Sequence, residues 1–234
     1  VENSDKAIYG IFDPEENNFT LEMWSNTQGE DVKSVFKRIN KIKLSKSAED
    51  IFINTIMTYS YMPKGMSDEE FLNLKINWLI KNNKADYLEN FLNNNSNFKG
   101  KEKVIQYLVD KNIAKADLKK GCEKSGFISK EIQDSYLEKF KIYCLIFNGK
   151  KNEAQLLYDI LREQNQSDKF FDDKINFLLG IKSKTSSKIR DDNLLNFYLS
   201  SITVENFKYE PKKKYKENYL GILKCSKFDS AWWY

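Results

Sequence analysis

The sequence predicts an all-α protein, specifically an α-solenoid in which antiparallel helix pairs stack into a right-handed superhelix. Only 9 Gly and 3 Pro occur among its 234 residues, whereas sheet-rich proteins usually use more of both in turns. Apolar residues recur at helical spacing behind recognisable helix starts. A short motif also returns at multiples of 33 residues, which is about the length of one helix–turn–helix unit.

Three regions are expected along the chain. Residues 1–26 are predicted to form an irregular segment packed on the first helices, residues 27–201 a helical-repeat domain, and residues 202–234 a basic aromatic tail. Segments with the form of helix starts begin at Thr27, where Glu30 would complete a capping box, and at Ser47 and Ser67. Further helices are expected at about 84–94, 104–109, 115–124, 129–147, 152–164, 167–179 and 191–201.

The repeated motif begins with Lys-Ile. Lys75–Ile80 recurs as Lys174–Leu179, 99 residues later, and Lys141–Ile146 lies 66 residues after the first copy. The turn Asn82–Lys84 matches Asn148–Lys150, and both suit a left-handed residue that ends a helix. A single helix pair cannot bury its apolar face alone, so repeated pairs stack on their neighbours. A non-repetitive helical bundle with the same helices is the alternative.

On these three segments, residues 67–201 resemble the tetratricopeptide-like helical-repeat superfamily, although its Trp-Leu-Gly-Tyr and Ala-Phe-Pro patterns are missing. The resemblance implies a scaffold that binds a partner protein or peptide along a concave face. Such arrays also form the non-catalytic part of cell-wall lytic enzymes. Tyr is enriched at recognition surfaces, but the aromatic residues concerned also lie at core spacing, which favours packing. The aromatic residues expected on the concave face are Tyr87, Phe91, Tyr136, Phe140, Tyr143 and Tyr158.

Both ends of the chain are similar to an uncharacterised family of exported bacterial proteins. The similarity rests on Ile11–Asp13, Met23-Trp24, Thr203–Phe207 and Tyr209–Pro211. It implies a removed signal peptide and a location in the periplasm or cell envelope, and a chain that starts at Val1 instead of Met agrees with processing. A cytoplasmic location is the alternative. No apolar run has the length of about 18 residues that a membrane span requires.

Sequence motifs for catalysis and metal binding are missing. The chain contains no histidine, which excludes Ser-His-Asp and Cys-His catalysis and His-ligated zinc. No glycine-rich phosphate-binding motif occurs. Three acidic clusters, Asp68–Glu70, Asp172-Asp173 and Asp191-Asp192, fall at predicted helix N-termini, where the helix dipole favours negative charge. We therefore expect neither cofactor nor metal. The chain is predicted to be no enzyme itself; the alternative is the scaffold part of an enzyme that acts on cell-wall glycan.

The tail and the cysteines complete the sequence-based expectations. Residues 207–234 hold 7 basic and 3 acidic residues, so they carry the whole net charge of +4, and a neutral body argues against nucleic acid as the main partner. Lys212–Lys214 and the terminal Trp232 and Trp233 suit an anionic membrane surface, a nucleic acid or an acidic partner. A solvated linker with a packed aromatic anchor is the alternative.

The three cysteines, Cys122, Cys144 and Cys225, fit no CxxC or zinc spacing. One disulfide would require an oxidising compartment, and we expect Cys144 to act as a small buried hydrophobe. Taken together, the sequence predicts a non-catalytic helical-repeat protein, a protein- or peptide-binding scaffold of the bacterial envelope. The alternatives are the scaffold part of an enzyme that acts on cell-wall glycan and a surface-associated protein that uses its basic aromatic tail.

Overall fold

Helices provide the regular structure in the computed structural model, which describes residues 8–129, 131–210 and 216–225, with the side chains of 219–223 in the last range. Within these ranges there is no β-strand; two isolated parallel bridges join Phe12 to Thr58 and Gln28 to Lys64. The protein is therefore all-α. It divides into two units, residues 1–104 and 105–234, and the boundary falls inside the fifth helix.

Unit 1 and unit 2 have the following helices. Unit 1 contains a short 3₁₀ helix (Glu15–Asn17), α1 (Gly29–Ile39), α2 (Lys46–Met57), α3 (Asp68–Lys81), α4 (Ala85–Asn94) and the start of α5 (Lys101–Ala114). Unit 2 contains the rest of α5, α6 (Leu118–Glu123), a 3₁₀ helix (Lys124–Phe127), α7 (Ser135–Phe147), α8 (Lys151–Glu163), α9 (Lys169–Leu178), α10 (Leu194–Thr203) and α11 (Lys216–Cys225).

The start of α3 agrees with the sequence, whereas the start of α1 does not. Ser67 and Glu70 form a complete capping box, in which each side chain accepts a bond from the other residue's backbone amide. At α1 the cap residue is Gln28, and no side chain caps the helix. The capping box predicted at Thr27 does not form, because the backbone of Thr27 is hydrogen-bonded to another segment. The Thr27 carbonyl accepts a bond from the Lys64 amide at 3.0 Å, as part of the bridge between these two segments.

Two further helix starts differ from the sequence prediction. Helix α2 is capped by Ser45, two residues before Ser47, through a 3.3 Å bond from the Ala48 amide. Helix α7 is capped by Asp134, so it begins six residues later than expected from Ser129. Ile128 explains this difference, because its side chain is buried and its carbonyl accepts a bond from Lys141, which holds this segment outside the helix.

The N-terminal segment of unit 1 pairs with the chain that follows α2. The Ile11 amide donates to the Met57 carbonyl at 2.7 Å, and the Tyr59 amide donates to the Phe12 carbonyl at 3.0 Å. Three aromatic rings of this segment contact α3 and α4. These edge or tilted ring contacts are Tyr9 with Phe91, Phe12 with Tyr87, and Trp24 with Phe71.

The disulfide of unit 2 joins Cys122 in α6 to Cys144 in α7. It corrects the expectation that Cys144 acts as a small buried hydrophobe. The cysteines are 22 residues apart in sequence, a spacing that matches no motif. They meet because α6 is followed by a short 3₁₀ helix that contacts both α6 and α7.

A helix also lies in the region predicted to be a tail. Helix α11 packs on α10, and Tyr219 and Ile222 are buried. Its Gly221 makes close approach to α5 feasible, since a Cβ at this position would lie 2.0 Å from the Ala114 carbonyl oxygen. The region predicted to be a tail therefore contains one further helix after the helix expected at residues 191–201. Lysines on both sides of the short apolar set in α11 obscured its helical pattern in the sequence.

Candidate functional site

Two helix pairs that contain the repeated motif, α3–α4 in unit 1 and α7–α8 in unit 2, have similar turns. Within each pair the two helices are in contact. After α3, the amides of residues 82, 83 and 84 donate to the carbonyls of 78, 80 and 79; after α7, those of 148, 149 and 150 donate to 144, 146 and 145. Asn83 and Gly149 have left-handed φ values of 57° and 74°. An offset of 66 residues therefore joins equivalent positions around the two turns.

The first lysine of each motif copy, here called a motif lysine, has the same bonding in all three helices. Each ammonium donates to a backbone carbonyl of an irregular segment, and Lys75 and Lys174 are fully buried. The helix thus holds a neighbouring loop through a charged side chain. The bonds run from Lys75 to Tyr9 at 3.4 Å, from Lys141 to Ile128 at 3.3 Å and from Lys174 to Ser186 at 2.6 Å.

Four of the six aromatic residues predicted for a partner face lie in the core. Phe91 and Phe140 have 0% of their surface exposed, and Tyr143 and Tyr158 have 1%. The hydroxyl of Tyr143 bonds to that of Tyr198 at 3.1 Å, and the hydroxyl of Tyr158 donates to Asp172 at 2.9 Å. We assign all four rings to packing, because a ring without exposed surface has nothing to offer a partner.

Tyr87 and Tyr136, the other two predicted aromatic residues, are half-buried and already have contacts. The Tyr87 ring lies edge-on to Phe12 with 6.3 Å between the ring centroids. The Tyr136 hydroxyl donates to the Asp110 carboxylate. Burial raises the pKa of Asp110 to about 6, although the bond from Tyr136 acts in the opposite direction.

The predicted tail residues Lys212, Lys213, Lys214, Trp232 and Trp233 lie outside the described residues. The structure therefore provides no contacts for them. Their proposed part in partner binding stays a prediction from the sequence.

A difference between the two helix pairs shows one place where unit 2 exposes apolar surface. Phe147, Leu156 and Ile160 have 40%, 63% and 40% of their surface exposed. Leu156 and Ile160 are one turn apart on the side of α8 opposite its buried Ala154 and Tyr158. The equivalent positions of the first pair, 66 residues earlier, are Lys81, Asn90 and Asn94, all exposed. Positions that carry polar side chains in the first pair therefore carry apolar side chains in the second.

Acidic side chains surround the exposed apolar pair of α8. Glu153, Asp159 and Glu163 lie three residues from Leu156 or Ile160, and residues three or four apart are neighbours on a helix surface. Glu153 forms an exposed ion pair with Lys150 at 3.3 Å, and Asp159 accepts a bond from Gln155 at 2.9 Å. The face is therefore an apolar centre with an acidic edge.

A small cavity lies beside Lys75 in unit 1. Asp68, Phe71, Leu72 and Lys75 form its α3 wall, since they occupy one helix face at spacings of three, four and seven residues, and Tyr9, Ser60 and Met62 complete the lining. Its volume is about 10 Å³, room for about one water molecule. The Ser60 hydroxyl is buried and has no hydrogen-bond partner among the described residues.

Lys75 is an ammonium group with little to stabilise its charge. Its bond to the Tyr9 carbonyl is long, and its Nζ lies 4.1 Å from the centre of the Phe71 ring. Burial lowers the pKa of Lys75 to about 7. The sequence showed the lysine through its repeated motif, but a lysine at helical spacing is normally exposed, so nothing in the sequence indicated this burial.

The three acidic clusters have structural partners. Asp68–Glu70 form the first turn of α3, as expected. In α9, Asp172 accepts bonds from Tyr158 and Ser167, and Asp173 accepts bonds from Thr185 and Ser186. Just before α10, the hydroxyl of Tyr209 donates to Asp191, and Arg190 pairs with Asp192. These carboxylates hold helix ends and loops in place.

The comparisons with known proteins give no match: no protein-family model, no curated protein and no solved structure matches the chain. Among the described residues, no three His, Cys, Asp or Glu side chains are grouped so that they could hold a metal ion. In the same part of the chain, no helix combines the length and hydropathy needed to cross a membrane.

Proposed function

We propose that this protein is a non-catalytic scaffold that binds a basic, apolar segment of a partner protein on the outer face of α8. The observation that carries the proposal is the contrast between equivalent positions of the two helix pairs. Leu156 and Ile160 are exposed where the first pair has Asn90 and Asn94. An exposed apolar side chain in such a position is stabilised only when another surface covers it.

The size of the expected gain is sufficient for a measurable affinity. Covering a Leu, Ile or Phe side chain contributes roughly 1.5–3 kcal/mol when burial is complete. Phe147, Leu156 and Ile160 are partly exposed, so each would contribute a fraction of that value. Together they supply the apolar part of a transient interface, whose energy typically comes from a few side chains.

The charge around the face indicates the chemistry of the partner. Glu153, Asp159 and Glu163 surround Leu156 and Ile160, so a partner that carries Lys or Arg on both sides of its apolar residues would be attracted and oriented. An amphipathic helix with a basic edge has this pattern and is a common ligand of helical surfaces.

A binding assay with a defined peptide tests the proposal. The probe is a fluorescent amphipathic helix of Leu and Lys, and its matched control replaces every Lys by Glu. We expect binding of the Lys peptide, weakened by added salt because the charged edge is exposed, and no binding of the Glu peptide.

The variant for this assay carries the residues of the first pair: Phe147→Lys, Leu156→Asn and Ile160→Asn. We expect its affinity for the Lys peptide to fall at least about tenfold. The reciprocal change in α4, Asn90→Leu with Asn94→Ile, controls for general surface hydrophobicity. Equal affinity of the unmodified protein and the triple variant would contradict the proposal.

We infer that the scaffold works in the periplasm or cell envelope. The disulfide between Cys122 and Cys144 supports this inference, because disulfides persist in oxidising compartments and are rare in the cytosol. Alkylation of the protein under denaturing, non-reducing conditions, directly after lysis of its native cells, tests it. We expect label at Cys225 alone, whereas label at Cys122 and Cys144 would place the chain in a reducing compartment.

A further inference from the structure

The cavity in unit 1 brings an amine and a hydroxyl together in an apolar setting. Lys75 and Ser60 both line it, and their side chains are almost fully buried. The apolar part of the wall comes from Phe71, Leu72 and Met62. Neither polar group uses its bonding capacity: Lys75 has one long bond, and Ser60 has no partner among the described residues.

Asp68 lines the same cavity but does not pair with Lys75. The two residues are seven positions apart on α3, which corresponds to about 10 Å along the helix axis. Among the described residues no carboxylate forms an ion pair with Lys75, whereas Lys139 pairs with Asp168 at 2.7 Å. The Lys75 amine therefore lacks the negative charge that usually keeps a buried lysine protonated.

The consequence is an amine with a large uncharged fraction at neutral pH. Burial lowers the pKa of Lys75 to about 7. About half of this amine is then free base at pH 7, compared with roughly one part in a few thousand for an ordinary lysine. Only the free base has a lone pair that attacks a carbonyl carbon, and desolvation in an apolar pocket is a recognised way to activate a lysine.

We propose that Lys75 is a reactive amine site that takes a one-carbon aldehyde, with Ser60 donating a hydrogen bond to the aldehyde oxygen. The cavity has room for about one water molecule, so the smallest aldehyde is the carbonyl compound that displaces Phe71 and Leu72 least. Larger carbonyl compounds would need Phe71 or Leu72 to move farther.

The reaction balances without an oxidant or reductant. The Lys75 nitrogen forms a bond to the carbonyl carbon, and the oxygen becomes a hydroxyl. Loss of that oxygen as water, with both hydrogens drawn from the amine, leaves an imine between Nζ and the added carbon. Ser60 stabilises the negative charge that develops on the oxygen during the attack.

Reductive labelling of the full-length protein in its folded state tests the site. The protein is treated briefly with isotopically labelled formaldehyde and cyanoborohydride, which traps the imine, and methylation is mapped by mass spectrometry. Lys174 is the matched control, since it is buried at the same motif position but bonded to Ser186 at 2.6 Å. Exposed Lys169 is the reference.

At pH 7 we expect Lys75 to be labelled at least about tenfold faster than Lys174. The ratio of Lys75 to Lys169 labelling should fall more than about tenfold between pH 7 and pH 9, because about half of the Lys75 amine is already free base at pH 7 and can gain little more. Labelling of Lys75 as slow as that of Lys174 would overturn the proposal.

A variant tests the part assigned to Ser60. Ser60→Ala should slow labelling of Lys75 severalfold while the helical circular dichroism signal stays the same. An unchanged rate would remove Ser60 from the site. Because the main comparison uses the unmodified protein, the test does not depend on a variant that folds.

Discussion

The helix pairs α3–α4 and α7–α8 share a turn but differ in how the first helix of each pair is attached to an earlier helix. Trp78 of α3 and Cys144 of α7 occupy the same register, 66 residues apart. Trp78 is buried edge-on against Phe52 with 4.8 Å between ring centroids, whereas Cys144 is bonded to Cys122. Helix α3 is attached to α2 by a large packed ring, and α7 is attached to α6 by a covalent link. Turn geometry therefore does not dictate how a helix pair is attached to the rest of its unit.

The outer faces differ in the same way. Lys81, Asn90 and Asn94 make the first pair polar, and Phe147, Leu156 and Ile160 make the second apolar. Neither set of residues takes part in the shared turn bonds between backbone groups. Surface positions can therefore become apolar in one pair while the other pair keeps a polar, solvated face.

The largest expected effect compares the contribution of the packed Trp78 ring with that of the disulfide. Trp78→Ala should lower the free energy of unfolding by about 3–5 kcal/mol, because it leaves a cavity in a packed core. The double change Cys122→Ala with Cys144→Ala should cost about 3 kcal/mol, since it removes a cross-link over 22 residues. Urea denaturation of both variants measures the two effects.

Dithiothreitol gives the control for this comparison. It should destabilise the unmodified protein and the Trp78→Ala variant by similar amounts, because the ring and the disulfide lie in different units. It should leave the double cysteine variant unchanged. Destabilisation of the double cysteine variant by the reductant would show that reduction acts at another position and would break the comparison.

The sequence predicted helices more reliably than it predicted contacts between them. The helix start at Ser67 is predicted correctly, because both partners of its capping box lie within one turn. The Thr27 box has the same residue types, yet Thr27 bonds to Lys64, 37 positions away. Competition from distant backbone groups decides such cases, and a local pattern does not contain that information.

The candidate sites were harder to predict for the same reason. Phe91, Phe140, Tyr143 and Tyr158 lie at helical spacing, which alone does not distinguish a core face from a binding face. The face around Leu156 differs from the equivalent face of the first pair in its exposed apolar side chains, and exposure is a property of the packed fold. Lys75 was visible as part of the motif, but its burial depends on Tyr9 and Ser60, which are remote in sequence.

The second prediction concerns the motif lysine of α3. Its pKa is lowered in the folded protein, so above pH 7 the unfolded chain holds more protons and stability should rise with pH up to about 10.5. Between pH 7 and pH 9 the unmodified protein should gain about 2 kcal/mol relative to Lys75→Met. Urea denaturation at several pH values measures this difference.

The variant Lys174→Met is the comparison for this pH dependence. Burial lowers the pKa of Lys174 as well, but Asp173 acts in the opposite direction, so the same sign with a smaller change is expected. A difference between the unmodified protein and Lys75→Met that stays constant from pH 7 to pH 9 would show that Lys75 keeps an ordinary pKa.

The smallest expected effect tests the turn that the two helix pairs share. Gly149→Ala should cost about 1–2 kcal/mol, because φ is 74° and an L residue with a Cβ is strained in the left-handed region. No heavy atom lies within 4 Å of the position that this Cβ would take, so the loss would report backbone strain alone. At the equivalent position, Asn83→Gly should change stability by only a few tenths of a kcal/mol, since Asn tolerates this conformation. If Gly149→Ala cost no more than Asn83→Gly, the α7–α8 turn would relax to accept a Cβ, unlike the α3–α4 turn. The two turns would then not be equivalent. The contrast between the two outer faces rests on that equivalence and would fail with it.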